Sequence, residues 1–368
     1  MKHSLVQLRQ VPLFRAAMLV PAAIALVFSL FSLTAAPDAA RLAGTINIGL
    51  VKLDTGMVFP PIKVSDRLQQ GLAQQVPFGL TEFTDENSAR AALEAGNIAA
   101  FVVFPDEFSQ QAFSDEPVKF SVVTAGNLTL AEAKIAEQMP SMLQSGIAAA
   151  VNGLRLAIAK GQIPTGALPV ELSVERLYVP KNPSASVAPF ASAYTIWLGA
   201  MVGGLLLFLS TRTVGSSRDR AVLRTLLPIG VSGLSSLVLT TIVASTAGLQ
   251  VGFLGFWITA WTISLVLAWF FGGFLAVLRL PGLIILIPLV FYQAALGGTQ
   301  MPAAAAPEWL VAMVGSLPFE HVGAVLRAQI IGGAAGLDLV LAGATALLGL
   351  VLIALGSLFL EGNVQRDG

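Results

Sequence analysis

Three groups of residues in this chain have types and spacings that do chemistry in other proteins. Asp54-Thr55-Gly56 follows a strand-like run and matches the tripeptide that carries one carboxylate of an aspartyl protease. That chemistry needs two such loops, because paired carboxylates must share a proton, and the chain has no second copy. The tripeptide therefore reads as a turn closing a strand. Arg212, Arg218, Arg220 and Arg224, with Asp219 among them, crowd a short polar segment between two apolar runs. Such a segment can pair with acidic groups of a partner, or can serve only to fix the orientation of its flanking helices in a membrane. Glu320, His321 and Arg327 lie in an apolar stretch interrupted by Pro and Gly, where they could satisfy one another's charge.

Other chemistries are excluded by what the sequence lacks. With no Cys there is no thiol nucleophile, disulfide or thiolate metal site, and His3 and His321 are too far apart to seed a metal cluster, so no metal site is expected. No Gly-rich loop ends in Gly-Lys-Ser/Thr, so ATP must be bound by a partner if it drives this protein, and no cofactor is expected in the chain itself. No convergent set of nucleophile, base and metal ligands suggests an enzyme, and no catalytic residue is assigned. The 21 basic and 21 acidic residues leave no excess charge for nucleic acid. Asn127-Leu128-Thr129 matches a glycosylation sequon, a triplet common enough by chance to decide nothing.

The elements that hold these residues divide between two media. Over 368 residues, 55% are hydrophobic and only 11% charged, against roughly a quarter charged in soluble domains, so the chain is a polytopic membrane protein. A bilayer core of about 30 Å needs roughly 20 apolar residues as helix. Six segments qualify: 13–36, 187–210, 226–247, 251–278, 282–298 and 337–360. The first has an uncharged core, 16–36, longer than the roughly 7–15 residues of a signal peptide, so it reads as a retained helix. Arg-rich and Lys-rich short segments stay in the cytoplasm. Lys2, Arg9 and Arg15, the Arg212–Arg224 segment and Arg279 all fall on one side of a six-span path. This predicts a cell (plasma or inner) membrane protein with both termini cytoplasmic and residues 37–185 extracytoplasmic.

Within that block, strand-like runs at 45–53, 79–84, 99–104 and 118–124 alternate with helical patterns at 64–75 and 86–95, the second capped by Asn87 or Asp85. A longer helix is expected over 130–160, with a possible break at Pro140. Asp106 and Glu107 suit the first turn of a helix. The alternation predicts an α/β domain with partly parallel strands. The chain divides into 1–36, cytoplasmic N-terminus and first span; 37–185, external domain; and 186–368, a five-helix membrane domain.

The membrane half carries no Asp, Glu, Lys or His at the centre of a span, so proton relays are not expected. Gly199 and Gly203 form a small-residue pair that lets helices approach within one subunit or between two. Trp257, Trp261 and Trp269, four and eight residues apart, read as a lipid-facing stripe, with a lipid-like substrate path as the alternative. Between the fifth and sixth segments, Gly297-Gly298, Pro302, Pro318, Glu320, His321 and Arg327 mark a stretch too apolar for a solvated loop and too broken for a span. Short re-entrant or interfacial helices, at 308–317 and 320–331, are expected to cap the outer mouth.

Three stretches resemble a known family. They are Ile48-Gly49-Leu50-Val51-Lys52-Leu53-Asp54-Thr55-Gly56, followed by Ala91 to Gly96 and Ala99 to Ser109; Val187-Ala188-Pro189-Phe190, leading to Trp197-Leu198-Gly199-Ala200; and the Gly297 to His321 stretch with Arg327. In this order they resemble type-2 ABC transporter membrane subunits, within them the phage-infection-protein (Pip, YhgE-like) branch, whose members are usually longer outside the membrane. The resemblance implies a membrane all-α bundle of six transmembrane helices, with re-entrant or interfacial helices between spans five and six and an extracytoplasmic α/β domain inserted between spans one and two. It implies a permease that forms a homodimer or heterodimer in membrane lipid, pairs with a cytoplasmic ABC ATPase that binds ATP, and exports a lipid-like, glycan or drug-like substrate. The Arg212, Arg218, Asp219, Arg220 and Arg224 loop would contact that ATPase. The competing class is a membrane-anchored scaffold or surface-interaction protein without transport of its own.

Overall fold

The computed structural model describes residues 44, 46–57, 62–75, 78–114, 116–159, 169–214, 216–296, 307–314 and 320–360. The first apolar segment, 13–36, and Gly297, Gly298, Pro302 and Pro318 lie outside the described residues.

A five-stranded sheet forms the polar unit, in the order β2-β1-β3-β4-β5. Its strands are β1 (Asn47–Lys52), β2 (Gly79–Phe83), β3 (Ala100–Phe104), β4 (Val118–Ala125) and β5 (Val170–Leu177). β1 runs parallel to β2 and β3, β3 and β4 are antiparallel, and β4 and β5 are parallel. Alternation with a period of two sends successive side chains to opposite faces. Ile48, Leu50, Val102 and Phe120 pack on α1 (Val64–Gln75) and α4 (Leu130–Ala159), while Val51, Phe101 and Val123 pack on α2 (Glu86–Glu94). Between β3 and β4 lies the single turn α3 (Phe108–Gln111).

Two expectations about this unit are corrected. Helix α4 runs unbroken through Pro140. An interior proline costs about 3 kcal/mol, but the row Met139, Leu143, Ile147 and Val151 is buried against the sheet, and each such side chain contributes roughly 1.5–3 kcal/mol. Burial outweighs the lost hydrogen bond. The edge strand β5 was not expected, because Glu171, Ser173, Glu175 and Arg176 hide its alternation. Arg90 of α2 fastens it with two bonds to Glu175, at 3.0 and 3.1 Å, and also pairs with Glu86. The cap of α2 is Asp85, which accepts from the Ser88 N–H at 2.9 Å.

Among the described residues, four helices are long and apolar enough to cross a membrane: α5 (Pro183–Thr211), α6 (Ser217–Thr246), α7 (Phe253–Leu278) and, beginning at Leu339, α11 (Leu339–Leu355) with its continuation Gly356–Leu360 as a π-turn. Between them lie the shorter α8 (Leu283–Leu296), α9 (Glu308–Val314) and α10 (Glu320–Ile330). The centre of this half is α7, packed against α5, α6 and α11. Its closest approach is to α11, where a methyl group added at Gly273 would stand 2.5 Å from the Gly349 carbonyl oxygen, so only glycine fits.

The three tryptophans of α7 face α6 instead of lipid. Their indole N–H groups donate to the backbone carbonyls of Gly233 (from Trp257, 3.1 Å), Ile229 (from Trp261, 3.0 Å) and Thr225 (from Trp269, 2.9 Å). As α7 ascends, the acceptors descend α6, the direction that two antiparallel helices give. An indole placed in an apolar interior needs an acceptor, and this row supplies one for each.

Candidate functional site

The described residues with functional potential gather at the two ends of the helical half. At one end is the arginine turn. Helix α5 ends at Thr211, and α6 begins behind Ser216, whose hydroxyl accepts from the Asp219 N–H at 3.3 Å and caps the helix. Its four arginines divide in two. Arg220 and Arg224 are each only 3% exposed. Arg220 donates to the Val214 carbonyl at 2.7 Å and so closes the turn on itself. Arg224 donates from Nε to the Thr211 hydroxyl and from Nη1 to the Ser357 hydroxyl, both at 2.9 Å, and its guanidinium lies 4.7 Å from the Phe208 ring centroid. It thereby joins the end of α5, the start of α6 and the π-turn. Arg212, Arg218 and Asp219 are exposed, and these three are the part of the segment open to a partner.

At the opposite end the sheet unit meets the helices. Asn182 caps α5 by accepting from the Ala185 N–H at 2.9 Å and donates to the Thr246 carbonyl at the end of α6. Helix α10 is held from both sides. The N–H groups of Gln250 and Val251 donate to the Gln329 carbonyl, and the Gln329 amide donates to the Thr259 hydroxyl. From the sheet side, Arg327 Nε donates to the Asn127 carbonyl at 3.1 Å and the Asn127 amide donates to the Gly332 carbonyl at 3.0 Å. Tyr178, at the end of β5, has φ of 53° and lays its ring against Gly332, whose own φ of 127° suits a residue without a side chain. Burial and a hydrogen bond to Glu94 push the Tyr178 hydroxyl above the usual tyrosine range.

This seam disposes of the sequon, since Asn127 is engaged with Gly332 and Thr129 forms a capping box with Glu132, through bonds of 2.9 and 3.2 Å. It also separates His321 from Arg327. His321 lines a cleft of about 30 Å³ with Thr262, Val266 and Asp338, whereas Arg327 lines another of about 200 Å³ between the sheet unit and α10. The Glu320 side chain lies outside the described residues. Sequence reasoning missed Asn127 and Tyr178, because only the packing of two distant segments gives them a role. Gly332-Gly333 was the available signal.

Asp54 is an anchor in the sheet unit. Buried to 1% exposure, it accepts from the N–H groups of Gly56 and Ser109 at 3.1 Å, from that of Ser65 at 3.3 Å and from the Ser109 hydroxyl at 2.6 Å. Burial alone would push its carboxyl up, but the bonds from Ser109, Ser65 and Gly56 hold it below the usual carboxylate range. The turn reading stands on this geometry: the carboxylate ties the β1 and β3 loops together. Of the small-residue pair, Gly199 has no neighbouring atom within 4 Å of an added methyl group among the described residues and Gly203 meets only Val231, so neither brings the described helices together closely.

These features define a multi-pass membrane protein with an α/β unit seated on one end of its helices. The chain belongs to the ABC-2 family of transporter proteins, whose family model matches residues 14–359. Among solved structures it is similar to one described as "Crystal structure of a domain of a putative ABC type-2 transporter from Thermotoga maritima MSB8", at 20% identity and a TM-score of 0.29, over 40% of this chain and 99% of that one. No curated protein matches the chain. Membrane subunits of the ABC-2 permease family are generally non-enzymatic.

Proposed function

We propose that the chain is the permease subunit of an ATP-driven exporter that works with a separate cytoplasmic ATPase. The observation that carries this reading is the ABC-2 match across residues 14–359, which takes in the sheet unit, the helices and both ends. The missing phosphate-binding loop assigns ATP to the partner. In this reading the arginine turn and both termini are cytoplasmic and residues 37–185 lie outside, in accord with the positive-inside bias. Residues 1–36 provide a first span, α8 lies within a fifth, and residues 186–368 form the permease domain.

Arg212, Arg218 and Asp219 offer the ATPase a charged, exposed surface, while Arg220 and Arg224 keep that surface rigid. Two copies, identical or not, pair along the exposed Gly199 face of α5, and a lipid-like, glycan or drug-like molecule passes between them. The motifs of the sheet unit favour the phage-infection-protein (Pip, YhgE-like) branch. A scaffold without transport is not favoured by the family match.

Co-purification from mild detergent tests the proposal. An ABC ATPase should be retained, and replacing Arg212 and Arg218 together by Ala should abolish efflux without lowering the melting temperature. Absence of both a bound ATPase and efflux from the wild-type chain would refute it.

A further inference from the structure

The sheet unit and the first turn of α5 border a further cavity, of about 300 Å³, at the carboxyl ends of the parallel pair β4 and β5. That volume stands at the low end of small-molecule sites, which run from roughly 300 to 1,000 Å³ and favour junctions between units. Ligands of open α/β sheets also gather outside the carboxyl ends of strands.

Strand register decides which polar groups reach the cavity. Thr124 of β4 and Arg176 of β5 are direct partners in the ladder. Alternation sends both to the face that carries Phe120, Val122 and Leu172, on which α4 packs. Neighbouring strands lie about 4.8 Å apart, so the two side chains leave their backbones side by side. Glu137 of α4 lines the same cavity. Thr124 is only 5% exposed, yet among the described residues its hydroxyl has no hydrogen bond. Arg176 and Glu137 are exposed and open to a solute, and among the described residues neither is paired with any group, the other included.

The remaining wall is largely apolar and lies toward the membrane helices. Ala133 precedes Glu137 by one turn of α4, Val179 and Pro180 follow β5, and Ser186 belongs to the start of a membrane-crossing helix. A buried hydroxyl without a partner is unfavourable, and beside a guanidinium it calls for an anionic oxygen. Glu137 repels a simple anion and calls for an ammonium, while Arg176 repels a simple cation. Neither charge alone satisfies all three groups, and the walls call for a hydrocarbon arm.

We propose that this cavity binds an amphipathic zwitterion, with its anionic end on Thr124 and Arg176, its ammonium on Glu137 and its apolar arm directed toward α5. The head of a membrane phospholipid and a free amino acid with an apolar side chain share that chemistry. The inference concerns binding and does not require that the ligand be cargo, so its failure would leave the transport reading standing.

Native mass spectrometry of the full chain in detergent tests it with two pairs of probes, each a zwitterion beside a counterpart that lacks the ammonium. Dioctanoyl phosphatidylethanolamine is set against dioctanoyl phosphatidylglycerol, and L-leucine against 4-methylpentanoate. In at least one pair the zwitterion should bind about tenfold more tightly, the worth of roughly one charge-assisted hydrogen bond, and the pair with the larger ratio identifies the source as lipid or soluble. Glu137→Gln should abolish that ratio, and Arg176→Gln should weaken the zwitterion by about tenfold. Thr124→Val supplies a readout that a structural role would not give. It should weaken the zwitterion about fivefold while leaving the melting temperature unchanged or higher, because it removes a buried hydroxyl that has no partner. Absence of a zwitterion preference in both pairs, or a preference that Glu137→Gln leaves intact, would overturn the proposal. A Thr124→Val chain that binds as the wild type does would overturn the place of the hydroxyl in the site. Should that variant fail to fold, Glu137→Gln and Arg176→Gln decide, since both side chains are exposed.

Discussion

Replacing Arg224 by Ala should destabilise the helical half by about 3 kcal/mol. The side chain donates at 2.9 Å to Thr211 and to Ser357 and stands 4.7 Å from the Phe208 ring centroid. Hydrogen bonds from a charged donor contribute about 1.5–3 kcal/mol each, and a desolvated cation over a ring about 2 kcal/mol. Against this, removing the guanidinium also relieves the cost of burying it. Thr211 keeps its own bond to the Leu207 carbonyl, so one hydroxyl is not stranded. The balance is about half the gross sum. At about 2–4 °C per kcal/mol for a unit of this size, the melting temperature in detergent should fall by about 6–12 °C. Lys at this position keeps the charge but not the fork that reaches two hydroxyls, and should recover about half the loss. The decisive measurement is a double-mutant cycle with Ser357→Ala, where we expect a coupling of about 1–1.5 kcal/mol. A coupling below about 0.3 kcal/mol, or an Ala variant that melts with the wild type, would refute the assignment of Arg224 as the clasp between α6 and the π-turn.

Four further outcomes follow from the packing of the two units. Trp261→Phe keeps the ring but removes the donor to Ile229, and should cost about 0.5–1.5 kcal/mol in a reversible unfolding assay; no loss would mean the indole bond is idle. Gly349→Val should prevent a stable fold, as read by size-exclusion chromatography, because an added Cβ would lie 2.6 Å from the Trp269 backbone carbon. By contrast, if copies pair along α5 as proposed, Gly199→Val should leave the unfolding free energy within about 0.5 kcal/mol of wild type and impair only cross-linking between copies. The carboxyl of Asp54 is depressed in the fold, so its contribution is complete above the ordinary Asp value near 3.9 and is lost as pH falls through the lower folded value. Proteolysis of the sheet unit on acidification should therefore rise only below about pH 4 in the wild type. Asp54→Asn should remove that acid step and cost about 1–3 kcal/mol at neutral pH.

What the sequence reveals depends on whether its signal is local. The strands at 45–53 and 118–124, the helix at 64–75 and the long spans follow from periodicity and apolar length, and they reappear as β1, β4, α1 and α5 to α7. Strand β5 escaped because an edge position leaves its polar residues exposed. The Arg segment was visible by charge, but charge cannot distinguish Arg218, which faces outward, from Arg224, which reaches 133 positions along the chain to Ser357. The tryptophans were visible by spacing, yet only the antiparallel register of α6 and α7 turns a stripe on one helix into a ladder between two. Asn127 was a matter of chance triplets until the loop after α10 placed the Gly332 carbonyl beside it.

The fold also limits how the two ends can communicate. Helix α5 begins at the Asn182 cap beside the sheet unit and ends at Thr211 under Arg224. At 1.5 Å per residue its 29 residues span about 43 Å, enough to connect the seam to the turn with one rigid element. Under the permease reading, an ATPase that pulls on the turn displaces α5 as a body, because Arg224 clamps its last residue to two other helices. At the far end the first contacts to feel that displacement are Asn182 with Thr246 and, through the packing of α10 on α5, Arg327 with Asn127. Spatial continuity of this kind is a reason to test coupling and is not itself a measure of it. The measure is a cycle on ATPase stimulation between Arg218→Ala and Asn127→Ala. The two substitutions lie at opposite ends of the helices, so if each end acted alone their effects would add within about 0.5 kcal/mol. Transmission along α5 predicts a larger departure from additivity, and additive effects would leave the seam without a part in the stroke.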